Sequence, residues 1–161
     1  MSGENGEIRV LVVCLGNICR SPAGEAALAE AAAEAGLSIT VDSAGTGPWH
    51  VGDPPNIQMI RAGDRAGLVV EGQGRQVTTA ADMEGYDLIL AMDRLNLRQL
   101  QQMAPWLSDR IHLYRSFDAE ADSDEMPDPY GLSDAEFDLT VRRARAGARA
   151  VVSAIQSGLL P

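Results

Sequence analysis

The sequence contains no lysine; all 13 basic residues are arginine. That absence excludes lysine Schiff-base chemistry and any Walker-type phosphate loop, which needs a lysine. Histidine is limited to His50 and His112, and cysteine to Cys14 and Cys19. Two cysteines cannot build a disulfide framework or a cysteine-only zinc site. A zinc site would have to recruit scattered ligands. Positive charge is in deficit, with 23 acidic residues against 13 basic and a net charge of −10. A surface of that sign does not neutralise the phosphates of a duplex, so no nucleic-acid partner is expected. One small anion in a local pocket remains compatible with it. No apolar run reaches the roughly 18–20 residues that a membrane span needs, and MSGENGEIRV lacks the basic-then-apolar pattern of a signal peptide. The expectation is a cytoplasmic protein with reduced thiols and no membrane partner.

What is present suits one domain over residues 1–161, with a frayed polar tail at residues 1–6. Hydrophobic content is 45%, enough for a real core. EIRVLVV reads as a buried strand, because β-branched apolar runs favour strands covered on both faces. SPAGEAALAEAAAEAG reads as a helix, with Ser21 as cap, Pro22 at the first helical position and Gly36 as its stop. LSITVDSAG reads as a second strand, ending in a tight turn at Ala44-Gly45. A Gly/Pro-rich loop, TGPWHVGDPP, then leads to a helix from about Asn56 to Ala66. An irregular stretch with a helical turn near Ala80–Glu84 leads to the strand YDLILAM and a helix from Asp93. DRIHLY reads as a weaker strand and residues 115–132 as a long acidic loop. A final helix follows, with Ser133 and Glu136 at capping-box spacing. Strict β-α alternation of this kind makes an α/β fold with an open parallel sheet and helices on both faces. Ligands bind such folds at the carboxyl ends of the strands, and the first strand ends at Cys14.

The segment VLVVCLGNICRSP places Cys14 six residues before Arg20. Between them the loop offers Leu15, Gly16, Asn17, Ile18 and Cys19; after them come Ser21 and a helix. Free N–H groups of a helix start and inward-turned loop amides form an anion nest. Gly16 allows close backbone approach, and Asn17 tolerates a left-handed conformation. Arg20 adds a bidentate guanidinium, so a phosphate or other tetrahedral oxyanion fits here. The same positive field favours a thiolate on Cys14, which makes it a nucleophile toward a bound phosphoryl group. Ser21 is positioned to donate a hydrogen bond to that thiolate. An aryl oxide leaves well only when protonated, so a carboxylic acid must reach the site. Most acids of the Asp118–Asp128 run read as a solvated charge run. Asp128 differs, because Pro127 and Pro129 stiffen the chain on both sides of it.

VCLGNICRSP resembles the signature of low-molecular-weight protein tyrosine phosphatases. DSAGTGPWHVG, GRQV, YDLILAMD and PDPY follow in that family's order and approximate spacing, so the resemblance covers about Ile8 to Ser157. It implies a four-stranded parallel sheet with helices on both faces, of the flavodoxin-like or Rossmann-like kind, and a cysteinyl-phosphate intermediate with no metal and no cofactor. It implies Cys14, Arg20 and Asp128 as the catalytic residues. It implies Leu15, Gly16, Asn17, Ile18, Cys19, Ser21, Ser43, Trp49 and Tyr130 as substrate-binding, Trp49 and Tyr130 being aromatic walls around a phenyl ring. Ser43 matches a serine that hydrogen-bonds the loop asparagine, here Asn17. The implied partners are a phosphotyrosine-containing protein and, as a further candidate, a tyrosine kinase.

Two positions depart from the family. Gly72 stands where many members carry a histidine that supports the asparagine, and Gly131 where many carry a second tyrosine. Trp106 and Tyr86 read as packing residues. Cys19 is either a loop filler or a redox partner that protects Cys14. An arsenate reductase on the same fold and a non-catalytic phosphate-binding domain are the alternatives. The first lacks further cysteines after Cys19, and the second has no reason to keep both Cys14 and Asp128. Bulky Ile18 favours phosphotyrosine over phosphoarginine. The lysine-free, Ala/Gly-rich composition is compatible with a bacterium.

Overall fold

The computed structural model describes residues 7–159; the expected tail at residues 1–6 lies outside them. Strands β1 (Ile8–Cys14), β2 (Ile39–Gly45), β3 (Leu88–Ala91) and β4 (Ile111–Leu113) form one sheet. All pairings are parallel and the order is β2-β1-β3-β4. The register sets Cys14 beside Gly45 and Val13 beside Ala91. Helices α1 (Arg20–Glu34), α2 (Ile57–Ala66) and α5 (Asp134–Gln156) cover one face, and α3 (Ala81–Glu84) and α4 (Arg94–Met103) the other.

The strand β1 shows why the chain folds this way. Val10 to Val13 are fully buried. Val10 and Val12 point toward α1, α2 and α5, while Leu11 and Val13 point toward α3 and α4. Burying each such side chain contributes about 1.5–3 kcal/mol, and only a strand covered on both faces gains this at every position. The chain leaves β1 for β2 on one side and then crosses back from β2 to β3 on the other side of β1. The crevice between the ends of β1 and β3 is thus the switch point where ligands bind such sheets.

Gly24, an unfavourable residue in a helix interior, is explained by packing. A Cβ there would lie 2.7 Å from the Met92 side chain and 3.1 Å from the Tyr114 ring, and one at Gly147 would lie 2.6 Å from the same ring. Tyr114 is fully buried between α1 and α5 and donates to the Ala144 carbonyl at 2.8 Å.

Several local readings need correction. α1 begins at Arg20 with Cys19 at its N-cap and no side-chain cap, so Pro22 is the third helical residue and Ser21 is not a cap. β2 runs straight through Ala44 and Gly45 instead of turning, because Gly45 also bridges in parallel to Gln76. Ser133 does cap α5 by position, but its side chain makes no capping bond. Trp106 is 65% exposed rather than packed, since the 3₁₀ turn Pro105–Arg110 buries Leu107 in its place.

Candidate active site

The loop between β1 and α1 wraps the Cys14 sulfur. Cys14 is 2% exposed at the sheet's end, and its Sγ accepts the Asn17 N–H at 3.3 Å. That contact needs Asn17 at φ 58°, the one non-glycine residue with positive φ among the described residues. Its side chain is consumed in holding this shape. Nδ2 donates to Ser21 Oγ at 2.8 Å and Ser43 Oγ at 3.0 Å, and Oδ1 accepts the Arg75 N–H at 2.9 Å. Ser21 Oγ lies 3.1 Å from Cys14 Sγ. That oxygen accepts from Asn17, and its own proton has two acceptors in reach, the Cys14 sulfur and, at 3.5 Å, the Ala44 carbonyl; the sulfur is the nearer. This is why Ser21 is no cap: its hydroxyl serves the thiol.

The expected loss of support at Gly72 does not leave Asn17 loose. Gly72 adopts φ +112° with open space around it, and the Arg75 backbone does the bracing. Arg75 is itself fixed, Nε donating to the Ser43 carbonyl at 3.0 Å and Nη2 to Tyr86 Oη at 2.8 Å. Tyr86 in turn donates to Asp42 at 2.7 Å. Backbone bonds then tie the neighbouring loop down: Thr46 N–H to the Cys14 carbonyl, Gly47 N–H to that of Leu15 and Asn56 N–H to that of Ile18. Gly45 must be glycine, since a Cβ would sit 2.8 Å from the Leu15 oxygen.

Arg20 is 4% exposed. Nη1 donates to Asp93 Oδ2 at 2.7 Å and to the Met126 carbonyl at 3.1 Å, and Nη2 stands 3.7 Å from Asp128 Oδ2. Burial works against its charge, but Cys14, the Asp93 hydrogen bond and Asp128 outweigh it and hold the guanidinium more firmly protonated than usual. Asp93 was no candidate in the sequence. It caps α4 through Oδ1, accepting the Asn96 N–H at 2.8 Å, and turns its other oxygen to Arg20. Cys19 is a different case from Cys14, although both are free thiols. Burial, with Asp128 and Cys14 adding to it and Arg20 opposing, pushes the Cys19 thiol up to about 12. It stays protonated at neutral pH and is no nucleophile.

A cleft of about 190 Å³ opens above the loop, lined by Cys14, Leu15, Gly16, Ile18, Cys19, Arg20, Trp49, His50, Asp128 and Tyr130. A cavity of about 150 Å³ already holds benzene, so one aromatic ring fits. Trp49 and Tyr130 stand at its rim, 66% and 60% exposed. Neither ring is buried as a core anchor, and unlike the equally exposed Trp106 both border the cleft. Asp128 reaches in from the far side, its side chain 45% exposed, with Oδ1 accepting the Tyr130 N–H at 3.1 Å. Asn17, Ser21 and Ser43 are absent from the lining; they lie behind the loop and shape it. His50 was missed in the sequence. Its ring packs over Gly16, where a Cβ would lie 3.3 Å from Cδ2, and its Nδ1 meets Asp53 Oδ2 at 3.1 Å. A histidine beside Trp49 carried no periodic signal to betray this.

Part of the acidic loop is paired with arginines while staying at the surface. Asp122 meets Arg115 at 2.8 Å and Arg143 at 3.8 Å, and Arg94 meets Asp124 at 2.7 Å and Glu125 at 3.3 Å. Sequence reading missed these pairs because the arginines lie on other elements.

A thiol cradled by amides, an arginine and a carboxyl around one aromatic-walled cleft, at the switch point of a parallel sheet, define a cysteine-dependent phosphatase. Residues 9–158 match the family model for low molecular weight phosphotyrosine protein phosphatase. Low molecular weight protein-tyrosine-phosphatase YfkJ of Bacillus subtilis is 37% identical over 153 residues, 92% of this chain and 96% of that protein. The Schizosaccharomyces pombe low molecular weight phosphotyrosine protein phosphatase is 37% identical over 140 residues, 84% of this chain and 89% of that protein. A protein tyrosine phosphatase structure from Entamoeba histolytica, with Hepes in its active site, superposes with a TM-score of 0.90 at 30% identity, covering 94% of this chain and 98% of that one. The chain belongs to the low molecular weight phosphotyrosine protein phosphatase family.

Proposed function

We propose that this chain, working as a single domain, hydrolyses phosphotyrosine in proteins by two displacements at Cys14. The observation that carries this reading is the seat of the Cys14 sulfur. It receives the Asn17 N–H and lies 3.1 Å from Ser21 Oγ at the floor of a cleft that also holds Arg20 and Asp128. In the first step the Cys14 thiolate attacks phosphorus and the bond to the aryl oxygen breaks. Asp128 gives its proton to that oxygen, so neutral phenol leaves. In the second step the Asp128 carboxylate takes a proton from water as water attacks phosphorus. The P–S bond breaks and the thiolate returns, with inorganic phosphate released. Arg20 and the loop amides from Leu15 to Cys19 hold the equatorial oxygens and their charge in both transition states. Ser21 stabilises the sulfur as leaving group, and Asn17 and Ser43 keep the loop in shape.

Trp49 and Tyr130 favour a flat aryl ester over a short alkyl one, because the phosphate lies at the bottom of a slot only a ring spans. No helix among the described residues is long and apolar enough to cross a membrane. A cytoplasmic location in a bacterium, with a tyrosine kinase supplying the phosphoprotein, completes the reading. The test is phosphate release from a phosphotyrosine peptide under reducing conditions, wild type beside Cys14→Ser. Release by wild type alone is the expected result. Release by both would remove Cys14 from the chemistry, and release by neither would end the phosphatase reading.

A further inference from the structure

The acidic loop that ends in Asp128 is gripped by a buried arginine. Arg115 lies on the 3₁₀ turn Tyr114–Phe117, directly after β4, and is 5% exposed. Nη1 donates to the Glu125 carbonyl at 2.7 Å and Nη2 to Asp122 Oδ1 at 2.8 Å. One planar fork therefore fixes two points of the loop against the end of the sheet. A guanidinium can do this because its donors sit in a rigid plane, whereas an ammonium is a point charge. The Asp122 carboxyl is held below the usual carboxylate range by the Arg115 hydrogen bond and charge, which agrees with a persistent contact.

The grip passes to the acid without slack. Met126, next after Glu125, donates its N–H to the Met92 carbonyl at 2.7 Å and accepts from Arg20 Nη1 at 3.1 Å. Pro127 follows with a fixed φ, and then Asp128. From the Arg115 fork to the Asp128 carboxyl, each residue is either hydrogen-bonded to the body of the protein or stiffened by proline. Arg115 is not among the residues that line the cleft.

We propose that Arg115 is a positioning residue for the general acid: its fork on Glu125 and Asp122 sets where Asp128 delivers its proton. This rests on the reading of Asp128 as proton donor. A displaced acid harms only substrates whose leaving oxygen needs a proton. A purely structural role for Arg115 would slow every substrate alike.

The experiment measures kcat/KM, which reports phosphoryl transfer to the enzyme, on two esters. Phenyl phosphate has a poor leaving group, and 2,4-dinitrophenyl phosphate has one that departs unprotonated. Arg115→Met is expected to lose about tenfold on phenyl phosphate while staying within about twofold of wild type on the dinitrophenyl ester. Inhibition by inorganic phosphate is expected to be unchanged. Arg115→Lys keeps the charge but not the fork and is expected to fall in between. Asp122→Ala removes one arm from the exposed side and is expected to show a smaller loss with the same split; it carries the test if Arg115→Met does not fold. Equal slowing of both esters, or full activity of a folded Arg115→Met on phenyl phosphate, would overturn the proposal. A wild type inactive on both esters would instead overturn the phosphatase reading on which it stands.

Discussion

The two loops that meet at the cleft are built on opposite principles. The Cys14 loop is buried and held by neutral hydrogen bonds: Asn17 to Ser21, Ser43 and Arg75, and Ser21 to the sulfur. The acid loop is largely exposed and held by charge, through Arg94, Arg115 and Arg143. The difference follows from the two tasks. A thiolate and a phosphoryl group need fixed dipoles in a dry place, where a misplaced donor costs most. The acid must exchange protons with water and let product leave, so its loop stays at the surface. There, exposed ion pairs are each worth only about 0–1 kcal/mol and several must act together.

That contrast can be broken from either side. The largest expected effect is at the tip of the charged loop. Asp128→Asn is expected to slow kcat/KM on phenyl phosphate by about 100-fold or more, with far less effect on the dinitrophenyl ester. Equal slowing would assign the acid elsewhere. Next comes the neutral loop. Asn17→Ala removes all three side-chain bonds and puts alanine at positive φ. It is expected to lower unfolding stability by about 2–4 kcal/mol, read by urea denaturation, and to slow both esters alike because the sulfur loses its frame. A split between the esters in this variant would erase the distinction between the loops. Smaller still is the effect of salt. Raising it to about 1 M shortens the screening length to about 3 Å. The expected result is a few-fold loss on phenyl phosphate beyond any loss on the dinitrophenyl ester, since only the acid loop depends on exposed ion pairs. The smallest effect is a null. Burial is the largest cause that pushes the Cys19 thiol up, and Cys14→Ser leaves that burial in place, so Cys19 in this variant is expected to resist iodoacetamide at neutral pH. Rapid alkylation, read by mass spectrometry, would contradict it.

The same contrast explains what the sequence revealed. The Cys14 loop is a local motif. Spacing from Cys14 to Arg20, the strand before it and the helix after it sit in one short stretch, so both the sheet and the place of Cys14 and Arg20 in one cleft were legible. Asp128, which the structure sets in the cleft lining, stood out because prolines flank it. The bracing was not legible. Arg20 finds Asp93 73 residues away, and Asn17 finds Arg75 58 residues away. Such pairs leave no periodicity. Ser21 misled for a physical reason, since a serine before a proline at a helix start reads as a cap whenever its hydroxyl has nothing better to bind. The acidic run misled because a paired carboxylate and a solvated one look alike until the arginines fold against them.

The central claim is that Cys14, and not Cys19, carries the phosphoryl group. The most direct measurement is rapid acid quenching of the wild type during turnover of 2,4-dinitrophenyl phosphate, followed by peptide mass spectrometry. A single phosphoryl group on the Cys14 sulfur, absent from Cys14→Ser, is the predicted result. A phosphoryl group on Cys19, or turnover with none on either sulfur, would contradict the account.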